Sequence, residues 1–143
     1  MKIGVPREIK PDDSRVALTP AGTATLIADG HRVLIERSAG AGSGFADADY
    51  EQAGGRIVAV EDAWNAELVL KVKERMAAEY PGLAGQILLT SLQLAGVGPA
   101  LTEARLTSRS TAVAYETVED DTGRLPLLAP MSAVAGAMAV AMG

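Results

Sequence analysis

The feature that most constrains this chain is a rhythm of short apolar runs separated by segments that carry helix-capping residues. The runs at 2–5, 33–36, 56–58, 68–72, 87–90 and 112–115 have strand length. Several are built of Val, Ile and Leu without polar alternation, as strands covered on both faces are. Such runs alternating with helices predict a parallel sheet, because parallel neighbours need a crossover long enough to hold a helix.

The helix signals between the runs are specific. Thr19-Pro20 supplies an N-cap and a first-turn proline, Leu26 and Ile27 form a buried stripe, and Gly30 is placed to end the helix in a left-handed turn. Further helices are expected from Asp47 or Asp49 to Gly54-Gly55, over 61–66 with Trp64 as core anchor, over 99–106 after the turn at Gly96 and Gly98, and over 132–142. The expected fold class is α/β: a flavodoxin-like or Rossmann-like parallel sheet with helices on both faces, plus an apolar C-terminal helix. In that last helix Val134, Met138 and Met142 fall at i, i+4 and i+8, and Ala and Gly fill most of the rest. Without a polar face it needs cover from this domain, a second copy or another piece of a longer chain.

Composition narrows the function classes. The 143 residues are 48% hydrophobic, which fits one globular domain with its own core. There is no cysteine, which excludes a disulfide framework, a thiolate metal site and a cysteine nucleophile, and one histidine, His31, excludes a histidine-rich metal site. Thirteen basic against 18 acidic residues, with no basic run, argue against a nucleic-acid partner, since neutralising phosphates takes clustered Lys and Arg. The opening Met1-Lys2-Ile3-Gly4-Val5-Pro6-Arg7-Glu8 is neither a signal nor a transit peptide, so a cytoplasmic location is expected. Residues 125–143 carry no charge, but Pro126 and Pro130 interrupt them, and the stretch after Pro130 is too short and too Ala/Gly-rich to span a bilayer.

Few motifs carry chemistry. Gly40-Ala41-Gly42-Ser43-Gly44 has its third glycine one position early for a dinucleotide fingerprint and no lysine for a P-loop, so it reads as a flexible surface turn. His31 lies at a helix-to-strand turn without an orienting partner, and Asp12-Asp13 and Glu119-Asp120-Asp121 read as solvated loop carboxylates. Arg15, before the apolar Val16-Ala17-Leu18, and Lys73, at the end of the 68–73 segment, are more suggestive. Ligands of open α/β sheets gather beyond the carboxyl ends of strands, where Lys73 is expected. Alternation puts Lys71 and Lys73 on one side, both flanking a crevice mouth. A carboxylate or phosphate site there stands against the plainer reading of a solvated strand end.

Six motifs together carry a family resemblance. Ile3-Gly4-Val5-Pro6-Arg7-Glu8 with Arg15-Val16-Ala17-Leu18-Thr19-Pro20 opens the pattern, followed by Gly40-Ala41-Gly42-Ser43-Gly44-Phe45 and Leu70-Lys71-Val72-Lys73-Glu74. Ala114-Tyr115-Glu116-Thr117-Val118 and Leu125-Pro126-Leu127-Leu128-Ala129-Pro130-Met131-Ser132 complete it. In this order and spacing the whole chain resembles the N-terminal domain of alanine dehydrogenase. The related proton-translocating NAD(P) transhydrogenase shares the opening motifs. The resemblance implies reversible oxidation of L-alanine to pyruvate and ammonia with NAD, in a cleft between this domain and a separate Rossmann domain. It implies that Arg15 and Lys73 hold the substrate carboxylate and polarise its carbonyl, and that Met131 and Ser132 lie where the nicotinamide approaches.

The departures from that family pattern shape the expectations. Where the resemblance implies an acid/base histidine, this chain has Gln93 within Thr90-Ser91-Leu92-Gln93-Leu94-Ala95. Glutamine hydrogen-bonds a carbonyl but exchanges no proton near neutral pH. A glutamate is replaced by Ala133, a basic residue by Ala137 and a proline by Arg75, and no NAD-binding domain is present within these 143 residues. Residues 1–130 are expected to form the substrate domain and 131–143 an apolar inter-domain or oligomerisation helix. The expected partners are a small carboxylate, pyruvate or alanine, and either further copies of the chain or an NAD-binding partner chain; no metal, membrane or nucleic acid is expected. The isolated chain is expected to be inactive. A non-catalytic binding module and one half of a split enzyme are the alternative readings.

Overall fold

A computed structural model describes residues 1–73, 76–82, 85–92, 103 and 106–142. Among these described residues six strands form: β1 (Lys2–Val5), β2 (Arg32–Glu36), β3 (Arg56–Val58), β4 (Leu68–Leu70), β5 (Ile87–Thr90) and β6 (Thr111–Ala114). They form one sheet in the order β3-β2-β1-β4-β5-β6. The pairings of β1 with β2 and β4, of β2 with β3 and of β4 with β5 are parallel, and Ile3 sits between Val33 and Leu68. Each strand falls on an expected run. The largest difference is β4, which stops at Leu70 instead of 72: the Lys71 N–H still reaches the Leu89 carbonyl, but the Val72 N–H turns to the Glu8 carboxylate.

Among the described residues, the helices are α1 (Pro20–Ala28), α2 (Asp47–Gln52), α3 (Val60–Trp64) and α4 (Ala129–Met142). Thr19 caps α1 as expected, its hydroxyl accepting the Gly22 N–H at 3.2 Å, and Gly30 beyond the helix has φ +81°. Helix α4 begins earlier than 132, with Pro130 in its first turn, where a missing N–H costs nothing. Residues 106–108 are helical; most of the helix expected over 99–106, and the turn at Gly96 and Gly98, lie outside the described residues.

The chain divides into two compact units, Met1–Val113 and Ala114–Gly143. In the first, Ile3, Val5, Val33, Ile35, Tyr50 and Leu70 form one buried cluster, and Trp64, Ala66, Val69 and Leu88 form another. Trp64 is the core anchor expected of it. Helix α1 packs on β2, and α3 packs on β1 and β2. At Gly4 of β1 a Cβ would stand 1.8 Å from the Ala63 carbonyl oxygen, so glycine is what lets α3 lie against the sheet. In the second unit, Asp120 organises a turn by accepting the N–H groups of Thr122 and Arg124 at 2.8 and 3.0 Å. Val134 and Met138 of α4 are 61% and 55% exposed. Among the described residues no helix is long and apolar enough to cross a membrane.

The topology singles out one edge of the sheet. From β1 the chain steps outward to β2 and β3, then returns across β1 to β4 and steps outward the other way. Strands β1 and β4 are therefore neighbours whose onward connections diverge, and a crevice opens beyond their carboxyl ends. The segments leaving there are the loop after Val5 and the residues after Leu70.

Candidate functional site

The loop after β1 builds its own geometry. The Asp13 N–H donates to the Lys10 carbonyl at 3.2 Å, closing a turn with Pro11 second and Asp12 third. Asp12 has φ +63°, the left-handed conformation that a type II turn needs at that place and that Asp tolerates. The turn delivers the Asp13 carboxylate to Arg15: it accepts the Arg15 backbone N–H at 3.1 Å, Nε at 2.9 Å and Nη2 at 2.5 Å. The Asp13 side chain is 6% exposed and that of Arg15 46%. The side-chain hydrogen bond from Arg15 is the main cause that holds the Asp13 carboxyl below the ordinary aspartate range, and the charge of Lys73 adds to it.

Arg15 and Lys73 line the same concavity, about 490 Å³ in volume, together with Lys10, Pro11, Asp12, Asp13 and Ser14. It lies beyond the carboxyl ends of β1 and β4. Lys73 is fixed through its backbone, its carbonyl accepting the Thr90 hydroxyl at 2.7 Å. Three cations and two carboxylates line this space, an excess of one positive charge, with Asp13 and Arg15 paired to each other. A second concavity, about 500 Å³, is lined by Trp64, Ile9 and Val60 among others. Its polar rim is paired internally, Arg7 with Glu36 at 3.9 Å and the Gln86 amide with the Gly82 carbonyl at 2.5 Å.

The glycine-rich segment supports the site loop. Residues Ala41–Ser43 form a 3-10 turn, and the Ser43 hydroxyl donates to the Ser14 carbonyl at 2.8 Å. A Cβ on Gly40 would come within 2.6 Å of the Tyr50 ring, and one on Gly42 within 2.8 Å of the Ser14 carbonyl oxygen. The segment is a surface turn as expected, packed on its protein side.

Other expectations need correction. Lys71 does not flank a crevice mouth: it is 2% exposed, with Nζ 2.6 Å from Glu79 Oε1, 3.3 Å from Glu8 Oε2 and 5.9 Å from the Trp64 ring centre. Strand alternation does not reach it, because β4 ends one residue earlier. Asp13 is likewise no solvated loop carboxylate. His31 sits at the opposite, amino edge of the sheet, its Nδ1 3.2 Å from the Met1 amine. Met131 is half-buried and Ser132 exposed in the first turn of α4, in the second unit, while Gln93 lies outside the described residues.

Sequence reasoning overlooked Glu8 and Glu79. Glu8 accepts the Val72 N–H at 2.8 Å, and Glu79 accepts the Met76 N–H at 2.8 Å. Burial pushes the Glu8 carboxyl above its ordinary value, against the pull of the Lys71 charge. The available signal was Lys71 itself: a lysine inside an apolar run that enters the core needs a buried counter-ion.

With the geometry in place, likeness to known proteins extends over the whole chain. Residues 4–135 match the family described as alanine dehydrogenase/PNT, N-terminal domain. The chain is 51% identical over 149 aligned positions to the alanine dehydrogenase of Geobacillus stearothermophilus, and 52% identical over 146 to that of Mycobacterium tuberculosis. Both alignments cover all of this chain and 39% of the relative, so the chain spans about two fifths of the length of the relatives it matches. A solved structure of L-alanine dehydrogenase superposes with a TM-score of 0.93 at 50% identity, over the whole chain and 40% of that structure. The transhydrogenase from Sinorhizobium meliloti superposes with a TM-score of 0.79 at 28% identity, over 85% of this chain and 35% of the other. This chain belongs to the alanine dehydrogenase/PNT N-terminal domain family.

Proposed function

We propose that this chain is the substrate half of an alanine dehydrogenase, interconverting L-alanine with pyruvate and ammonia when an NAD-binding domain completes it. The supporting observation is that Arg15 and Lys73 line one concavity beyond the carboxyl ends of β1 and β4. In this reading the Arg15 guanidinium takes the substrate carboxylate and the Lys73 ammonium donates to the carbonyl oxygen. Charge-assisted bonds of this kind contribute about 1.5–3 kcal/mol each. Asp13 fixes the plane of the guanidinium through Nε and Nη2.

NAD supplies the hydride acceptor when bound. The glycine segment does not fit it as a phosphate cradle, since Tyr50 and Ser14 fill the space beside Gly40 and Gly42. We therefore assign the cofactor to a separate domain or chain, with Met131 and Ser132, at the start of α4, on the side it approaches. Gln93 occupies the place of the acid/base histidine and exchanges no proton near neutral pH, so the chain without an NAD-binding domain does not turn over. We place the protein in the cytoplasm, self-associating through α4, whose Val134 and Met138 are exposed.

Reconstitution tests this. The chain is mixed with the separately produced NAD-binding part of the Geobacillus stearothermophilus relative, and alanine-dependent NADH formation is followed. Activity is expected from the Gln93→His chain, reduced by about 10²–10⁴ with Gln93 unchanged. Association without activity in either combination would contradict the proposal.

A further inference from the structure

Past β4 the backbone stays tied to the β5 side, the Lys71 N–H donating to the Leu89 carbonyl at 3.0 Å and the Ser91 N–H to the Val72 carbonyl at 3.4 Å. Side chains hold what these two bonds leave open, the Val72 N–H and the Lys73 carbonyl. The Lys71 ammonium is clasped by Glu8 and Glu79, and Glu8 reaches Val72 N–H with its other oxygen. One residue further, the fully buried Thr90 donates its hydroxyl to the Lys73 carbonyl. Two carboxylates and an ammonium, with side chains 1–6% exposed, form an arrangement that apolar residues of similar volume often equal or exceed in stability. What the charges add is direction. Glu8 follows β1 and Thr90 ends β5, the strands on either side of β4, so the backbone carrying Lys73 is held from both flanks.

We propose that Glu8 and Thr90 are positioning residues for Lys73, fixing the backbone of residues 72 and 73 so that Lys73 lines the concavity it shares with Arg15. The inference rests on the reading of Lys73 as a substrate-holding cation. Neither residue touches the concavity, so their effect on a ligand passes through Lys73.

The test uses the 143-residue chain with two variants of conserved shape. Glu8→Met removes the acceptor for Val72 and leaves Lys71 paired one to one with Glu79; Thr90→Val removes only the hydroxyl tie. Side-chain NMR order parameters of Lys73 are compared with those of Lys10, which lines the same concavity without either tie, and pyruvate is titrated into each protein. Each variant is expected to lower the Lys73 order parameter, leave Lys10 unchanged and weaken pyruvate binding about tenfold, the low end of what one charge-assisted bond contributes. Pyruvate binding equal to wild type in both variants, with Lys73 as ordered as before, overturns the inference and leaves the substrate-half reading intact. Should the unaltered chain bind no pyruvate, the substrate-half reading fails, and Lys73 order in the variants still decides the positioning role. Should Glu8→Met fail to fold, Thr90→Val decides alone.

Discussion

Replacing Lys71 with Met puts the buried cluster under the sharpest strain. The substitution keeps an unbranched side chain of similar reach but strands two carboxylates whose side chains are 2% and 6% exposed. Breaking a buried pair by removing one partner costs about 3–5 kcal/mol. The stranded Glu8 carboxyl escapes by taking up a proton, at about 1.4 kcal/mol for every pH unit above its ordinary value, hence about 4 kcal/mol at pH 7 and about 1 at pH 5. Glu8 is already shifted upward by burial, so even the unaltered protein loses stability as pH rises through the folded Glu8 value. The expected loss for Lys71→Met is about 3–5 kcal/mol at pH 7, falling to about 1–2 at pH 5. At pH 7 that lowers Tm by about 10 °C or more for a chain of this size. Urea melts followed by circular dichroism at both pH values measure it. A loss below about 1 kcal/mol at pH 7 would mean the cluster is solvated, and an equal loss at both pH values would mean that packing, not charge, is at stake.

Other consequences are simpler to check. Gly42→Ala forces the Ser14 carbonyl away from a Cβ at 2.8 Å, so a loss of about 1–3 kcal/mol in urea melts is expected together with weaker pyruvate binding through the displaced Arg15 loop. Unchanged stability would show that the loop yields freely. Because Arg15 holds the Asp13 carboxyl low, their pairing adds stability above the ordinary aspartate value and loses it as pH falls through the lower, folded value. Asp13→Asn should therefore flatten the acid limb of the stability curve, and an unaltered limb would place the acid sensitivity elsewhere. Self-association through α4 should appear in light scattering and weaken in Val134→Glu with Met138→Glu; a monomer at high concentration would refute it.

Much of the fold was legible because the strands are uniformly apolar and the helices are capped by residues with one local meaning, such as Thr19-Pro20. Strand ends were less so. Val72 continues the apolar pattern of β4, yet its N–H goes to Glu8, 64 positions away, a partner that no periodicity reveals. The same long-range closure reassigned Lys71 from a crevice mouth to the core. Arg15 and Lys73 were legible as cations beside apolar runs, whereas Asp13 was hidden because an acidic pair in a turn ordinarily faces water. It is the left-handed turn residue Asp12 that swings the Asp13 carboxylate back onto Arg15.

The central claim is that Arg15 and Lys73 act on one ligand. Calorimetric titration of pyruvate into the chain and into Arg15→Ala and Lys73→Ala tests it most directly. Saturable binding with Kd near the millimolar range, about 4 kcal/mol in all, and its loss in both variants is the predicted result. No saturable binding, or binding that survives both substitutions, would contradict it.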